Sequence, residues 1–467
     1  MFINCYIYDY RTNIKTSRRN KIEYKCSNIN KVNMTNPMVQ KQNIEIKWLE
    51  SFIKTQNSVE DMHLSNWKKI GLKLIKNYTF PSKNDEVWRF TDLKKLYNLN
   101  FNKHPSESDI LEFCDKINIE NKIIFENGKL VYFDKTLSEN KMIEIKKFTE
   151  LNNDEKKKVL ELSNSGECGI SGGFFSILNI TSINDIYILK FNEDFTIETN
   201  INLISIGASN ENQEIGFSKR LLVLLENKSE VKFNLINTST KKEDIYFENS
   251  CINFYLKENS NLVLQNINNS VGSSNIMNTI HVDLNKGSFF TFNSISFGGD
   301  FERINIGVDM NGPESQCKLN GVFINHQNKI ADIHSRISHN FPNCKSSQFQ
   351  KNILNNFSHA IFAGKIQIQF GAENSEAEQL CRTLMLSPKS RIDSIPILEI
   401  NNENVKCSHG ATVSDIDDEQ MFYLISRGIE KKIAQLILIK GFINESLIPL
   451  PLYLKNSIEK KIFSLLE

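Results

Sequence analysis

The sequence predicts a mainly β protein, a β-helix flanked by an N-terminal α-helical region and a C-terminal helical domain. Three observations carry that expectation. A strand–turn–strand phrase recurs through the middle of the chain, long helical periods vanish between Gly172 and about Ile400, and helical periodicity returns in the segment 413–467.

The recurring phrase is LLVLLENKSEVKFNL, INFYLKENSNLVLQN, IHVDLNKGSFFTFN, IGVDMNGPESQCKLN and TLMLSPKSRIDSIP. Each reads as a strand, a polar turn ending in serine, and a second strand. The turn serines are Ser229, Ser260, Ser288, Ser315 and Ser390, with gaps of 31, 28, 27 and 75 residues, the last read as three periods. A period in the twenties to low thirties marks a stacked repeat, because one such unit cannot bury its apolar face alone. Asparagine suits the tight turns because it tolerates the left-handed region. A β-sandwich is the alternative, but its strands come at shorter spacing without the longer repeat.

The remaining elements follow in order. Residues 1–40 are basic, hydroxylated and poor in acids, which predicts either an unstructured tail or an organelle transit segment. Residues 41–165 read as a helical and mixed domain. Trp48, Leu49, Phe52 and Ile53, then Trp67, Ile70, Leu74 and Ile75, keep helical spacing up to Phe80-Pro81. PSKNDEVWRFTDLKKL reads as a linker anchored by Trp88 and Phe90, followed by the short strands KIIFEN and KLVYFD and a polar helix near Asp154–Leu162. The β-helix core is expected over 166–412. Beyond it, Ser414 and Asp417 suggest a capped helix start, with Met421, Phe422 and Ile425 on one face and Gly428 as the stop. Ile433, Leu436 and Ile437 mark a second helix and Leu452–Leu466 a third.

The formal net charge of +1 gives no basic excess for nucleic acid, and no apolar run reaches the roughly 18–20 residues of a spanning helix. The expected partners therefore include neither nucleic acid nor membrane. Nine cysteines are scattered without a CxxC pair, which predicts free thiols, most of them small buried residues, and no self-contained metal site. The glycine-rich GECGISGGFF lacks the lysine of a phosphate loop, and no GxSxG or HExxH occurs. ATP chemistry would have to come from a partner.

Three constellations hold potential chemistry. Cys407-Ser408-His409 sets a thiol and an imidazole two residues apart, hence on one face of a strand. These are ligands that soft and borderline metals take, but two cannot close a tetrahedral site. A buried cysteine beside a structural histidine is the plain alternative. HSRISHNFPNCKSS brings His334, His339 and Cys344 close in sequence, but Asn340, Pro342 and Asn343 read as a turn. Asp332 and Asp393 are the carboxylates available if the β-helix were a carbohydrate-active enzyme.

Five segments, in order, resemble the SufB/SufD family in its SufD branch: EVWRFTDLKKL, GGFFSILNI, CKLNGVFI with DIHSRISHNFPNCKSSQ, AEQLCRTLMLSPKSRIDSIPILEI, and VKCSHGATVSDIDDEQMFYLISRGI. The segments QLCRTLML (Gln379–Leu386) and KCSHGATVS are most similar to the cyanobacterial and plastid forms. With the basic N-terminus this implies a plastid stroma, a bacterial cytoplasm being the alternative.

The resemblance implies a right-handed parallel β-helix in a non-catalytic scaffold subunit for iron–sulfur cluster assembly. It implies pairing with SufB through the β-helices and binding of the ATPase SufC through the C-terminal helices, where Met421, Phe422, Ile425, Ile433, Leu436 and Ile437 are the candidate contacts. It implies that His409 and Cys407 lie at the SufB interface beside a transient iron–sulfur cluster shared with SufB, no cofactor being bound by this chain alone. A SufB-type paralogue is the near alternative, though the SHGATVS tail here reads closer to SufD.

Overall fold

The structure is a computed structural model that describes residues 37–56, 59–102, 119–197, 199–270, 273–297, 299–444 and 462. The expected tail or transit segment thus lies outside the described residues except for 37–40, as does the third C-terminal helix except for Ile462.

Two short capping pairs open the β-structure. β1 (Lys122–Glu126) pairs antiparallel with β2 (Lys129–Phe133), and β3 (Ile143–Lys147) pairs antiparallel with β4 (Tyr187–Phe191). All later pairing is parallel. One sheet stacks β1, β5 (Ile201–Gly207), β7 (Glu230–Ser239), β9 (Asn261–Asn268), β11 (Phe289–Ser296), β13 (Gln316–Asn325), β15 (Lys345–Leu354), β17 (Glu376–Met385) and β19 (Lys406–Asp415). The other stacks β4, β6 (Glu214–Leu225), β8 (Ile245–Leu256), β10 (Ser273–Leu284), β12 (Phe301–Met310), β14 (Ile330–His339), β16 (His359–Ile368) and β18 (Arg391–Ile400). Consecutive strands alternate between the sheets, so the chain winds as a parallel β-solenoid, in line with the sequence expectation.

The turns explain why the coils stack in register. Asp194, Lys228, Asn259, Gly287, Glu314, Asn343 and Asn374 all have positive φ, between 56° and 64°. Each donates its backbone N–H to a carbonyl in the turn of the next coil, at 2.8–3.2 Å. The left-handed conformation turns the N–H along the stack, so even the corners are paired. From Lys228 onward the next residue is buried and small: Ser229, Ser260, Ser288, Ser315, Cys344 and Ser375. Ser229, Ser260 and Ser288 donate Oγ–H to the carbonyl three residues back, closing the turn at 2.6–2.7 Å.

The structure corrects one part of the repeat. Ser390 precedes β18, so it belongs to the opposite corner, and the missing members of the serine row are Cys344 and Ser375. Ser390 makes the same bond, to the Ser387 carbonyl at 2.7 Å, which is why the two corners read alike.

Inward side chains of both sheets form one apolar lumen, including Phe233, Phe254, Leu264, Phe292, Ile306, Leu319 and Phe362. The outer faces are covered by helices. Over the nine-stranded sheet lie α1 (Pro37–Thr55) from Ile44 onward, α2 (Met62–Ile75), the single turn α3 (Lys94–Tyr97), α5 (Asn153–Ser163) and α6 (Phe174–Ser182), with the short α4 (Lys135–Glu139) beside β3. There Trp48, Phe52, Trp88 and Phe175 pack on Phe247, Met277 and Phe301. Over the ten-stranded sheet lies α8 (Lys431–Asn444), which follows α7 (Asp418–Ser426). Leu436, Ile439 and Ile443 rest on Ile267, Ile295, Val322, Ile324, Ile353 and Leu384, which belong to five successive strands of that sheet. The helix start suggested at Ser414 falls instead inside β19. Asp417 is the N-cap, its carboxylate accepting from the N–H groups of Glu419 and Gln420 at 2.9 and 3.1 Å.

Candidate functional site

β19 ends the ten-stranded sheet, pairing only with β17 among the described residues. Cys407 and His409 sit on it, in register with Ala377 and Gln379. Those two neighbours are buried and point into the lumen, so strand alternation turns Cys407 and His409 the same way, ~7 Å apart along the strand. Cys407 is half-buried against the lumen cluster, whereas His409 is exposed. Cys407 also lines an open cleft of about 780 Å³ with Cys317, Lys318, Lys345, Glu376 and Lys406. Lys345 and Lys406 both face Glu376, at 3.3 and 3.7 Å. Burial pushes the Cys407 thiol above its ordinary value, so the protonated thiol prevails until something displaces its proton. Among the described residues no third His, Cys, Asp or Glu joins the pair to make a metal-holding group.

Beneath this pair the lumen turns polar, which sequence reasoning missed. Gln379 Nε2 donates to Gln348 Oε1 at 2.9 Å, and Gln348 Nε2 meets the Ser335 hydroxyl at 2.7 Å. Both glutamines are buried. Gly364 makes the room, since a Cβ there would fall 2.1 Å from Gln379 Nε2. The available signal was glutamine at inward positions of alternating strands, in QFQKN and AEQLCRT, where earlier coils carry leucine or phenylalanine.

The other constellations have structural duties. His339 ends β14 inside the lumen, its Nε2 2.8 Å from Ser346 Oγ, and Cys344 sits buried in the turn row, so the expected turn is present. Asp332 is buried against Arg303 Nη1 at 3.0 Å and accepts from Thr91 Oγ1 at 2.6 Å, while Arg303 lies over the Trp88 ring. Burial opposes ionisation, but chiefly the Arg303 charge outweighs it and holds the Asp332 carboxyl down at about 2. Asp393 is bonded to His359 at 2.7 Å and to Arg391 at 2.8 Å. Each carboxylate is committed to its own cation, which is not the poised acid–base couple of a glycosidase. EVWRFTDL is therefore a clamp on β12 and β14, more than a linker. The glycine-rich run is a second clamp. Glu167 reaches His281 Nδ1 at 3.0 Å and Arg336 Nε at 2.6 Å, across β10 and β14.

The six apolar candidates on the C-terminal helices divide. Met421 and Leu436 are buried. Phe422 is 73% exposed, and Ile425, Ile433 and Ile437 are 42–44% exposed, so four apolar side chains on α7 and α8 face outward. No described helix is long and apolar enough to cross a membrane.

Comparison with known proteins bears on this geometry. Residues 207–442, which include Cys407 and His409, match the SufBD core domain of SUF system FeS cluster assembly. An iron–sulfur cluster assembly SufBD family protein of Synechocystis is 27% identical over 411 residues, covering 85% of this chain and 89% of that one. The chloroplastic protein ABCI7 of Arabidopsis thaliana is 26% identical over 379 residues, 78% of each chain. The iron–sulfur cluster assembly protein SufD of Escherichia coli is 36% identical over 152 residues, covering 32% of this chain and 36% of that one. With a parallel β-solenoid and a domain match over half its length, this chain belongs to the SufB/SufD family of the SUF iron–sulfur cluster assembly system.

Proposed function

We propose that this chain is a SufD-type, non-catalytic scaffold subunit of a SufB–SufC–SufD complex, and that Cys407 and His409 are half of a cluster-assembly site. The observation that carries this reading is their position: a thiol and an imidazole on one face of the strand that ends the stack. A thiolate and an imidazole are good ligands for iron, but two donors leave coordination positions open. A SufB-type subunit adjoining β18 and β19 would supply the remaining donors, and the nascent cluster would be shared cargo. Binding of the metal would displace the Cys407 proton, since burial of the free thiol disfavours the thiolate.

Phe422, Ile425, Ile433 and Ile437 form the surface proposed for the ATPase SufC, with Met421 and Leu436 supporting it from within. ATP hydrolysis belongs to that partner. A plastid stroma is the proposed compartment, supported by the chloroplastic relative.

The test is co-expression with matched SufB and SufC. A stable ternary complex is expected, and His409→Ala should abolish cluster assembly while leaving the complex intact. Purification of SufB–SufC free of this chain, or wild-type assembly by His409→Ala, would overturn the reading.

A further inference from the structure

Gln379 lies one rung below His409 on the same lumen-facing file. Its side chain is 1% exposed and its amide orientation is set from below, because Nε2 donates to Gln348 Oε1 at 2.9 Å. Gln348 is itself held by Ser335 Oγ, at 2.9 Å to Oε1 and 2.7 Å to Nε2. A glutamine amide offers both a donor nitrogen and an acceptor oxygen. With Nε2 engaged by Gln348, Oε1 is the acceptor left over, on a residue in register with His409. That oxygen is buried and has no hydrogen-bond partner among the described residues. Buried acceptors are ordinarily paired, so an unpaired one in register with an exposed imidazole points to that imidazole as its partner.

We infer that Gln379 is the positioning residue for His409: its Oε1 accepts the N–H of one imidazole nitrogen and leaves the lone pair of the other free for the cluster. A histidine that ligates a metal typically donates its second ring N–H to such a partner, which fixes the tautomer and the ring orientation. The Ser335–Gln348–Gln379 chain supplies that acceptor already oriented, and Gly364 keeps the space for it. This role rests on reading His409 as a cluster ligand.

The test uses the ternary complex for both assembly and NMR, the latter at pH 8 with only this chain 15N-histidine-labelled and the His409 signals identified by their loss in His409→Ala. The wild type is expected to hold His409 in a single tautomer. Gln379→Met, of similar length but without an acceptor, is expected to give mixed tautomers and cluster assembly slower by ~10-fold or more, with complex formation and thermal midpoint not lowered. Gln379→Glu keeps an acceptor and should keep a single tautomer. A single, wild-type tautomer in Gln379→Met, or mixed tautomers in Gln379→Glu, overturns the positioning role. If His409→Ala still abolishes assembly in that case, the ligand reading stands alone. Wild-type assembly by His409→Ala removes both.

Discussion

The Arg303 guanidinium lies 3.7 Å from the centroid of the Trp88 ring, and the same side chain closes on the buried Asp332. One residue of the solenoid is thereby sandwiched between an N-terminal aromatic and an acid on the next rung. Arg303→Ala leaves Asp332 buried without its cation and should cost about 3–5 kcal/mol. Trp88→Ala should cost a similar amount through lost packing. Urea unfolding followed by circular dichroism measures both. Asp332 also imposes an acid limit. Its folded pKa, about 2, lies below the unfolded value, so its contribution, about 2–3 kcal/mol, is complete above roughly pH 5 and is lost as pH falls toward 2.

His339 should begin the loss earlier. Burial pushes its pKa down to about 4, so the folded protein holds it neutral while the unfolded chain protonates near 6.5. Stability is therefore full above pH 6.5 and falls between pH 6.5 and 4, by on the order of 3 kcal/mol. Glu302 works in the opposite sense, since burial raises its pKa and favours the fold at low pH. In His339→Gln the difference in thermal midpoint between pH 7 and pH 5 should shrink. An unchanged difference would assign the acid response elsewhere.

Glu314 holds φ of 64° in the turn row, where its equivalents are mostly asparagine or glycine. A non-glycine residue there costs roughly 1–2 kcal/mol. Glu314→Gly should raise the thermal midpoint, the gain offset in part by greater freedom of the unfolded chain. Asn343→Ala, at φ of 60°, should lower it.

Phe422 and Leu436 should separate binding from folding. Phe422→Asp and Ile437→Asp change exposed side chains and should alter stability by no more than about 0.5 kcal/mol. Both should lose co-purification with SufC. Leu436→Asp buries a charge against Ile295 and Ile353 and should detach α8 from the sheet first.

The sequence made the solenoid legible because its corners repeat one physical device, a left-handed residue followed by a buried small one. Ser390 closes its own turn with the same hydroxyl bond, which hid the difference between it and the true row members Cys344 and Ser375. Cys407 and His409 were visible from alternation alone, although what adjoins them was not. β19 is exposed on nearly all of its length, so no burial pattern marked where strand ended and helix began, and Ser414 stood in for Asp417. Gln348 and Gln379 escaped notice because a glutamine carries no inward mark of its own, and only alignment with Leu319, Phe292 and Leu264 of earlier coils reveals one.

Successive strands of the ten-stranded sheet pair residues 27–31 positions apart from β7 onward, whereas α8 grips strands reaching back to Ile267. The stack is thus assembled from short-range steps that can zip coil by coil as the chain leaves the ribosome. The grip of α8 closes a far longer loop, and only after the last strand has emerged. During synthesis the apolar outer row from Ile267 to Leu384 therefore stays without α8 until Lys431–Asn444 has emerged. That row is the natural place for a chaperone to hold the nascent protein, and a truncation before Lys431 should leave it permanently in need of one.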